Sequence, residues 1–187
     1  MLLRTPADCV THRTLFAAGN GRPAVDETQP LRLHAAEVPP EWVDYNGHVH
    51  ESRYLQLFGD ATDALLRYLG IDAEYLAAGG SYFTVEAHLS HLGQLEAGDR
   101  VHVTTQVLGA DEKRLHVFHA LHRDDQDEPA ATAEQMFLHV DTAEGRAAPV
   151  RNGVREAVER LAAAHESLPA PSRAGRAITL PRPATRG

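Results

Sequence analysis

The chain has 187 residues and a net charge of −8, and its single cysteine, Cys9, excludes an internal disulfide. An acidic chain is poorly suited to nucleic acid, whose binding depends on basic side chains that neutralise phosphates. No apolar run approaches the roughly 18 residues of a membrane span, and the first residues lack the apolar stretch of a signal peptide. We therefore expect a cytoplasmic protein with no nucleic-acid partner and no membrane partner.

The predicted elements begin with residues 1–30, which show no clear period and are expected to form a loosely packed leader. A short strand is predicted at 31–38 and a long amphipathic helix at 49–69, where Gly70 is a typical C-terminal stop. The later elements are a short helix at 72–78, strands at 81–92, 100–108, 114–123 and 130–140, and a helix at 154–164. We expect one main domain at 31–142, a helical extension at 143–168, and a disordered tail rich in Pro and Arg at 169–187.

Alternating apolar residues mark one face of each central strand, because successive side chains of a strand point to opposite sides. The residues that would share a face are Val101, Val103, Thr105 and Val107, and then Leu115, Val117, His119 and Leu121. One long helix followed by an antiparallel meander is an α+β layout. A single helix covers only one face of such a sheet, so we expect an oligomer, a homodimer or homotetramer, to protect the rest.

The segment from Trp42 to Tyr54 joins a strand to the start of the long helix and carries the candidate chemistry. The first turn of a helix has free N–H donors and a partial positive charge, which would stabilise a carbonyl oxygen that becomes an oxyanion. Gly47 would let the backbone come close to a ligand, and Asp44 could activate water or attack the carbonyl. Asn46 could orient that water, although Asp44 and Asn46 are also ordinary turn and capping residues.

The motif Asp-Tyr-Asn-Gly-His at 44–48, with a Tyr in the helix that follows, resembles the catalytic loop of hot-dog-fold acyl-CoA thioesterases of the 4-hydroxybenzoyl-CoA thioesterase group. The later string VEAHLSHLGQLEAGDRVHVTTQVL resembles their second strand, turn and third strand, so the resemblance covers about residues 31–142. It implies a long central helix wrapped by five or six antiparallel strands, no cofactor, no metal, and an acyl-CoA substrate. The implied catalytic residues are Asp44, Asn46, Gly47 and His48.

Longer strings, such as EWVDYNGHVHESRYLQLFGDATDALLRYLG and ATAEQMFLHVD, resemble the betainyl-CoA thioesterase branch of that family and the thioesterase part of some L-carnitine dehydrogenases. This resemblance implies hydrolysis of betainyl-CoA to glycine betaine and CoA. One departure is that His50 and Glu51 stand where many hot-dog thioesterases carry Asn-Asn, or an Asn or His. Glu51 adds a carboxylate to the first turn of the predicted helix.

A permanent trimethylammonium cation donates no hydrogen bond, so aromatic faces and carboxylates are the groups that recognise it. The residues we expect to bind such an acyl group are Trp42, Tyr45, His50, Glu51, Tyr54, Phe83 and Glu86. Trp42 and Tyr54 are equally compatible with packing that holds the loop. Glu86 is compatible with an outward-facing edge position or with a site shared with a neighbouring subunit.

Several histidines are close together in the sequence, as metal ligands often are, but their spacing does not match a metal site. His48, His50 and Glu51 lack the further ligands of a cupin-type metal site. On a strand, His119 points away from His116 and His122, which favours histidines on a half-exposed sheet over a cluster.

The coenzyme A phosphates require cationic partners, although residues 31–142 hold 19 acidic and 7 basic residues, a net charge of −12. The candidates are Arg114, Arg123, Arg146 and Arg151, although each of them fits a solvated surface charge better than a phosphate ligand. The alternative functions are hydrolysis of another short or aromatic acyl-CoA, a non-catalytic acyl-CoA-binding module, and a dehydratase. Asp44 argues against pure binding, and the Asp-Tyr-Asn-Gly-His pattern suits a thioesterase better than a dehydratase.

Overall fold

The computed structural model describes residues 25–180. Its strands are β1 (Leu31–Glu37), β2 (Gly80–His91), β3 (Arg100–Ala110), β4 (Arg114–Arg123), β5 (Pro129–Asp141) and β6 (Arg146–Ala147). Its helices are α1 (Glu51–Leu69), α2 (Ala73–Ala77) and α3 (Asn152–His165), with a single 3-10 turn at Pro40–Trp42 before α1. The predicted leader therefore falls almost entirely outside the described residues, and no described helix is long and apolar enough to cross a membrane.

The strands form one antiparallel sheet in the order β1-β3-β4-β5-β2, with the short β6 paired to β5. The long helix α1 lies against one face, which we call the inner face, and α3 packs beside β3. This arrangement confirms the predicted α+β layout of a central helix against an antiparallel sheet. The order leaves β1 and β2 as the edge strands of the described sheet.

The alternation predicted for β3 and β4 is confirmed. The side chains predicted to share a face are all buried on the inner face: Val101, Val103, Thr105, Val107, Leu115, Val117, His119 and Leu121. The apolar ones pack against the apolar side of α1, which includes Leu57, Phe58 and Leu65. Burying each large apolar side chain contributes about 1.5–3 kcal/mol to stability, so this layer is a major stabilising contact of the domain.

The bounds of α1 have local causes. The ring of His50 caps the helix by accepting from the Ser52 N–H at 3.2 Å, so the helix begins two residues later than predicted. Gly70 ends it with a left-handed φ of +101°, as predicted, because this conformation is cheap only for glycine.

The segment after α3 has no regular secondary structure, yet two hydrogen bonds join it to the outer face of the sheet. The Gln106 side-chain amide donates to the Pro169 carbonyl at 3.3 Å, and the Gly175 N–H donates to the Glu134 carboxylate at 2.7 Å. Of the predicted disordered tail at 169–187, residues 181–187 lie outside the described part. The tail and the domain limits stay predictions.

Candidate active site

The predicted catalytic loop is a tight hairpin placed directly before α1. An isolated bridge pairs Val43 with Val49, and the Asp44 N–H donates to the His48 carbonyl at 2.9 Å. Between them, the Gly47 N–H donates to the Asp44 carbonyl at 3.0 Å, which closes a four-residue turn. Gly47 has a φ of +81°, a conformation that other residues adopt only with strain. The hairpin thus fixes Asp44 beside the first turn of the helix.

The Asp44 carboxylate is partly exposed and only half engaged. Its Oδ1 accepts from the Asn46 N–H at 2.7 Å, the pattern of an Asx turn. Its Oδ2 accepts no hydrogen bond from any group in residues 25–180. One carboxylate oxygen therefore holds the turn, and the other can accept a proton from water or approach an electrophile.

Two backbone amides near Asp44 are open donors. The His48 N–H and the Glu51 N–H have no hydrogen-bond partner within residues 25–180, whereas the Gly47 N–H is used by the turn. Glu51 is the first residue of α1, where the helix dipole contributes partial positive charge. A carboxylate and free amides at a helix start are the components needed to activate a nucleophile and to stabilise an oxyanion.

The hairpin is clamped from two sides. Trp42 is only 4% exposed, and the guanidinium of Arg53 lies 5.5 Å from the centre of its ring. On the other side, the Val49 N–H donates to the Leu95 carbonyl at 3.0 Å. Tyr54, also 4% exposed, bonds through its hydroxyl to the chain at Gly93 and Leu95. Both aromatic rings therefore pack the loop in place.

The remaining residues of the loop face solvent. Tyr45 is 96% exposed at the tip of the hairpin, and Glu51 is exposed on the first turn of α1. The His50 ring is engaged as the helix cap and contacts the Ser52 hydroxyl at 2.9 Å. Tyr45 and Glu51 are thus the predicted substrate contacts of this loop that remain open to a ligand.

Phe83 and Glu86 are not brought to the hairpin within one chain. Phe83 pairs with Leu138 and Glu86 with Met136, both on the outer face, because the alternate residue Gln135 contacts Thr62 of α1 on the inner face. Glu86 lines a cavity of about 250 Å³ together with His88, His116, Glu134, Gln135, Met136, Gly175 and Arg176.

The four arginines predicted to bind phosphates all have local partners. Arg114 pairs with Asp111, Arg123 with Asp125, and Arg146 with Glu144. Arg151 donates to the Ala78 carbonyl at 2.6 Å and lies over the Tyr75 ring. Their role toward coenzyme A stays a prediction.

The expected separation of the histidines is confirmed, since His119 is buried on the inner face while His116 contacts Glu134 on the outer face. Within residues 25–180, no three His, Cys, Asp or Glu side chains are close enough together to hold a metal ion.

The sequence reasoning missed the segment 93–95, which touches both the hairpin and Tyr54. Its only sequence signal was the Leu-Glu-Ala-Gly-Asp turn at 95–99, which indicated a connection between strands. That turn gave no hint that the Leu95 carbonyl supports the loop more than 40 residues earlier.

Known proteins show the same fold and much of the same sequence. Residues 38–158 match the profile of the thioesterase-like superfamily. The structure of a candidate thioesterase from Pseudomonas putida KT2440 is 41% identical with a TM-score of 0.72, covering 82% of this chain and 98% of that one. A hypothetical protein from Staphylococcus aureus, solved in complex with CoA, is 26% identical with a TM-score of 0.74, covering 79% and 94%.

Curated relatives extend this similarity. A betainyl-CoA thioesterase of Pseudomonas aeruginosa is 46% identical over 82% of this chain and 98% of its own length. An L-carnitine dehydrogenase/betainyl-CoA thioesterase of Agrobacterium fabrum is 49% identical over 87% of this chain, which spans only 33% of that relative. The hot-dog fold predicted from the sequence is confirmed, and the chain belongs to the thioesterase-like superfamily.

Proposed function

We propose that this protein hydrolyses an acyl-CoA thioester, and that its substrate is betainyl-CoA, which reacts with water to give glycine betaine and CoA. The observation that carries the reaction type is the half-engaged Asp44 carboxylate beside the open amides of His48 and Glu51. The substrate follows from relatives that bear this activity in their names and share 46–49% of their aligned residues with this chain.

In the general-base form of the reaction, Asp44 takes a proton from water as the water oxygen bonds to the thioester carbon. The carbonyl oxygen becomes an oxyanion, which the His48 and Glu51 amides stabilise. The carbon–sulfur bond then breaks, and the CoA thiolate leaves and recovers a proton. In the nucleophilic form, Asp44 itself attacks to give an anhydride, which water then hydrolyses. Both forms require the free Oδ2 of Asp44.

The betainyl group carries a permanent positive charge, which the net negative charge of the domain attracts. Glu51 supplies an exposed carboxylate at the start of α1, and Tyr45 supplies an exposed aromatic ring near it in sequence. Trp42 and Tyr54 hold the hairpin in the manner described above. Phe83 and Glu86 lie on the outer face of β2, so their participation requires a second copy of the chain.

A homodimer formed along β2 is part of this proposal. This edge strand has 12 residues, and Phe83 and Val85 on it are 54% and 56% exposed. A long apolar edge with open backbone groups favours pairing with another chain.

We expect Val85→Lys to weaken the dimer at least about tenfold in sedimentation experiments, because a lysine at the edge disfavours strand pairing. Leu76→Lys is the matched control, since Leu76 is also half-exposed but lies on the helix α2, which offers no strand backbone for pairing. A wild-type protein that is fully active as a monomer would contradict the shared interface.

The substrate assignment is tested with a set of thioesters: betainyl-CoA, its uncharged isostere 3,3-dimethylbutyryl-CoA, acetyl-CoA and benzoyl-CoA. We expect kcat/KM to be highest for betainyl-CoA. Glu51→Gln should lower the ratio of betainyl-CoA to isostere by about 5- to 30-fold, the equivalent of about 1–2 kcal/mol of charge recognition.

Trp42→Leu is the control for that ratio, because Trp42 is buried beneath Arg53 and should affect both substrates alike. Equal losses on both substrates for Glu51→Gln would remove it from cation recognition. A wild-type preference for benzoyl-CoA would replace the substrate while leaving the reaction type intact. A cytoplasmic location stays a prediction.

A further inference from the structure

The Tyr54 hydroxyl bridges two backbone groups that are two residues apart. It donates to the Gly93 carbonyl at 3.2 Å and accepts from the Leu95 N–H at 3.0 Å. Burial raises the pKa of the Tyr54 hydroxyl, so it keeps the proton that it donates. Its ring also meets the ring of His91 edge-on, with centroids 4.8 Å apart. One side chain of α1 therefore holds both the end of β2 and the segment after it.

That segment in turn holds the catalytic hairpin. The Leu95 carbonyl accepts from the Val49 N–H at 3.0 Å, and Val49 forms the bridge with Val43 that closes the hairpin around Asp44. Leu95 is fully buried, so water cannot replace a lost partner on this backbone without cost. The contacts form a closed ring from the first turn of α1, through 93–95, back to the hairpin.

We propose that Tyr54 is a positioning residue, whose hydroxyl sets the place of the Asp44 hairpin relative to the start of α1. This inference rests on the proposed function only in its effect on rate. The phenol serves here because it both donates and accepts, which satisfies Gly93 and Leu95 together. A small displacement of a catalytic group costs far more in turnover than in binding, since near-attack geometry is what the displacement destroys.

The test is Tyr54→Phe, which keeps the ring and removes the hydroxyl. We expect kcat to fall about tenfold with KM changed by less than about twofold. In hydrogen exchange of the free protein, the Asp44, Val49 and His50 amides should exchange about tenfold faster, because the hairpin has lost its support. This second measurement needs no substrate, so it stands even if the wild type cleaves no thioester and the proposed function fails.

The matched control is Tyr68→Phe. Tyr68 lies on the same helix, is equally buried, and its hydroxyl donates to the Glu27 carboxylate at 2.5 Å, away from the hairpin. A general loss of stability should affect both variants, whereas kcat and hairpin exchange should change only in Tyr54→Phe. Unchanged hairpin exchange in Tyr54→Phe, with or without a loss of rate, would overturn the positioning role.

Discussion

Replacing Asp44 by Asn should lower kcat for thioester hydrolysis by about 10²- to 10⁴-fold, the usual contribution of a general base. The substitution removes the negative charge but keeps an oxygen that can accept from the Asn46 N–H, so the Asx turn should persist. Because the hairpin keeps its shape, the loss should fall on kcat and leave KM nearly unchanged. Single-turnover kinetics with betainyl-CoA would measure the chemical step directly.

Asp63→Asn is the control for this experiment, since Asp63 is an exposed carboxylate on α1 that takes no part in the hairpin. It removes the same charge from the same domain and should keep the wild-type rate. An Asp44→Asn enzyme that retained more than about half of the wild-type rate would exclude Asp44 as base and as nucleophile. The open amides of His48 and Glu51 would then lack a chemical partner in this loop.

The regular elements could be predicted because their periods are strong. Strand β4 was predicted over the residues it occupies, and α1 was missed by only two residues at its start. Alternation at 101–107 and 115–121 follows directly from burial on one face of a sheet. The stop at Gly70 has an equally local cause, its left-handed conformation.

The faces of β2 could not be predicted in this way. Phe83 and Glu86 are three residues apart, which in a regular strand would place them on opposite faces. The structure has an irregularity in register between Thr84 and Glu86, a bulge at Val85 that brings both residues to the outer face. A strand pattern that repeats every two residues contains no signal for an inserted residue. Only the structure shows that Phe83 and Glu86 lie away from the hairpin.

The contacts of the aromatic residues in the loop could not be predicted from the sequence either. Closeness in sequence suggested that Trp42, Tyr45 and Tyr54 could surround one cation. Trp42 instead lies under Arg53, and Tyr54 bonds to a segment about 40 residues later. Long-range contacts of this kind have no local signal, whereas the motif at 44–48 is local and its turn could be foreseen.

The stability of the protein should fall steeply with acidity because of His119. This side chain is fully buried between the sheet and α1, and burial lowers its pKa to about 3. Thr62 uses its hydroxyl proton to bond to Gln135 at 3.2 Å, so it accepts from Nε2–H of His119, and Thr105 donates to Nδ1 at 2.8 Å. The neutral ring is thus satisfied on both nitrogens, and a second proton would put a positive charge in the core, which burial disfavours.

The unfolded and folded chains differ in the protons that they bind, so the free energy of unfolding depends on pH. Below pH 6.5 the unfolded chain binds a proton on this histidine, while the folded protein does not until about pH 3. The free energy of unfolding should therefore drop as the pH falls through this range, by about 2 kcal/mol between pH 6.5 and 4.5. Burial also lowers the pKa of His122, His139 and His165, which adds to the loss in the same direction.

His119→Gln isolates this contribution, because glutamine can bond to both threonines but cannot take up a proton. In urea unfolding between pH 7 and pH 4.5, the free energy of unfolding of this variant should fall less steeply with acidity than that of the wild type. The difference in slope should correspond to about one bound proton. Leu121→Ala is the matched control: it truncates a fully buried side chain on the same face of β4, so it should lower stability equally at every pH. If His119→Gln and the wild type lose stability in parallel on acidification, His119 is not the group that resists protonation, and the acid sensitivity must come from elsewhere in the chain.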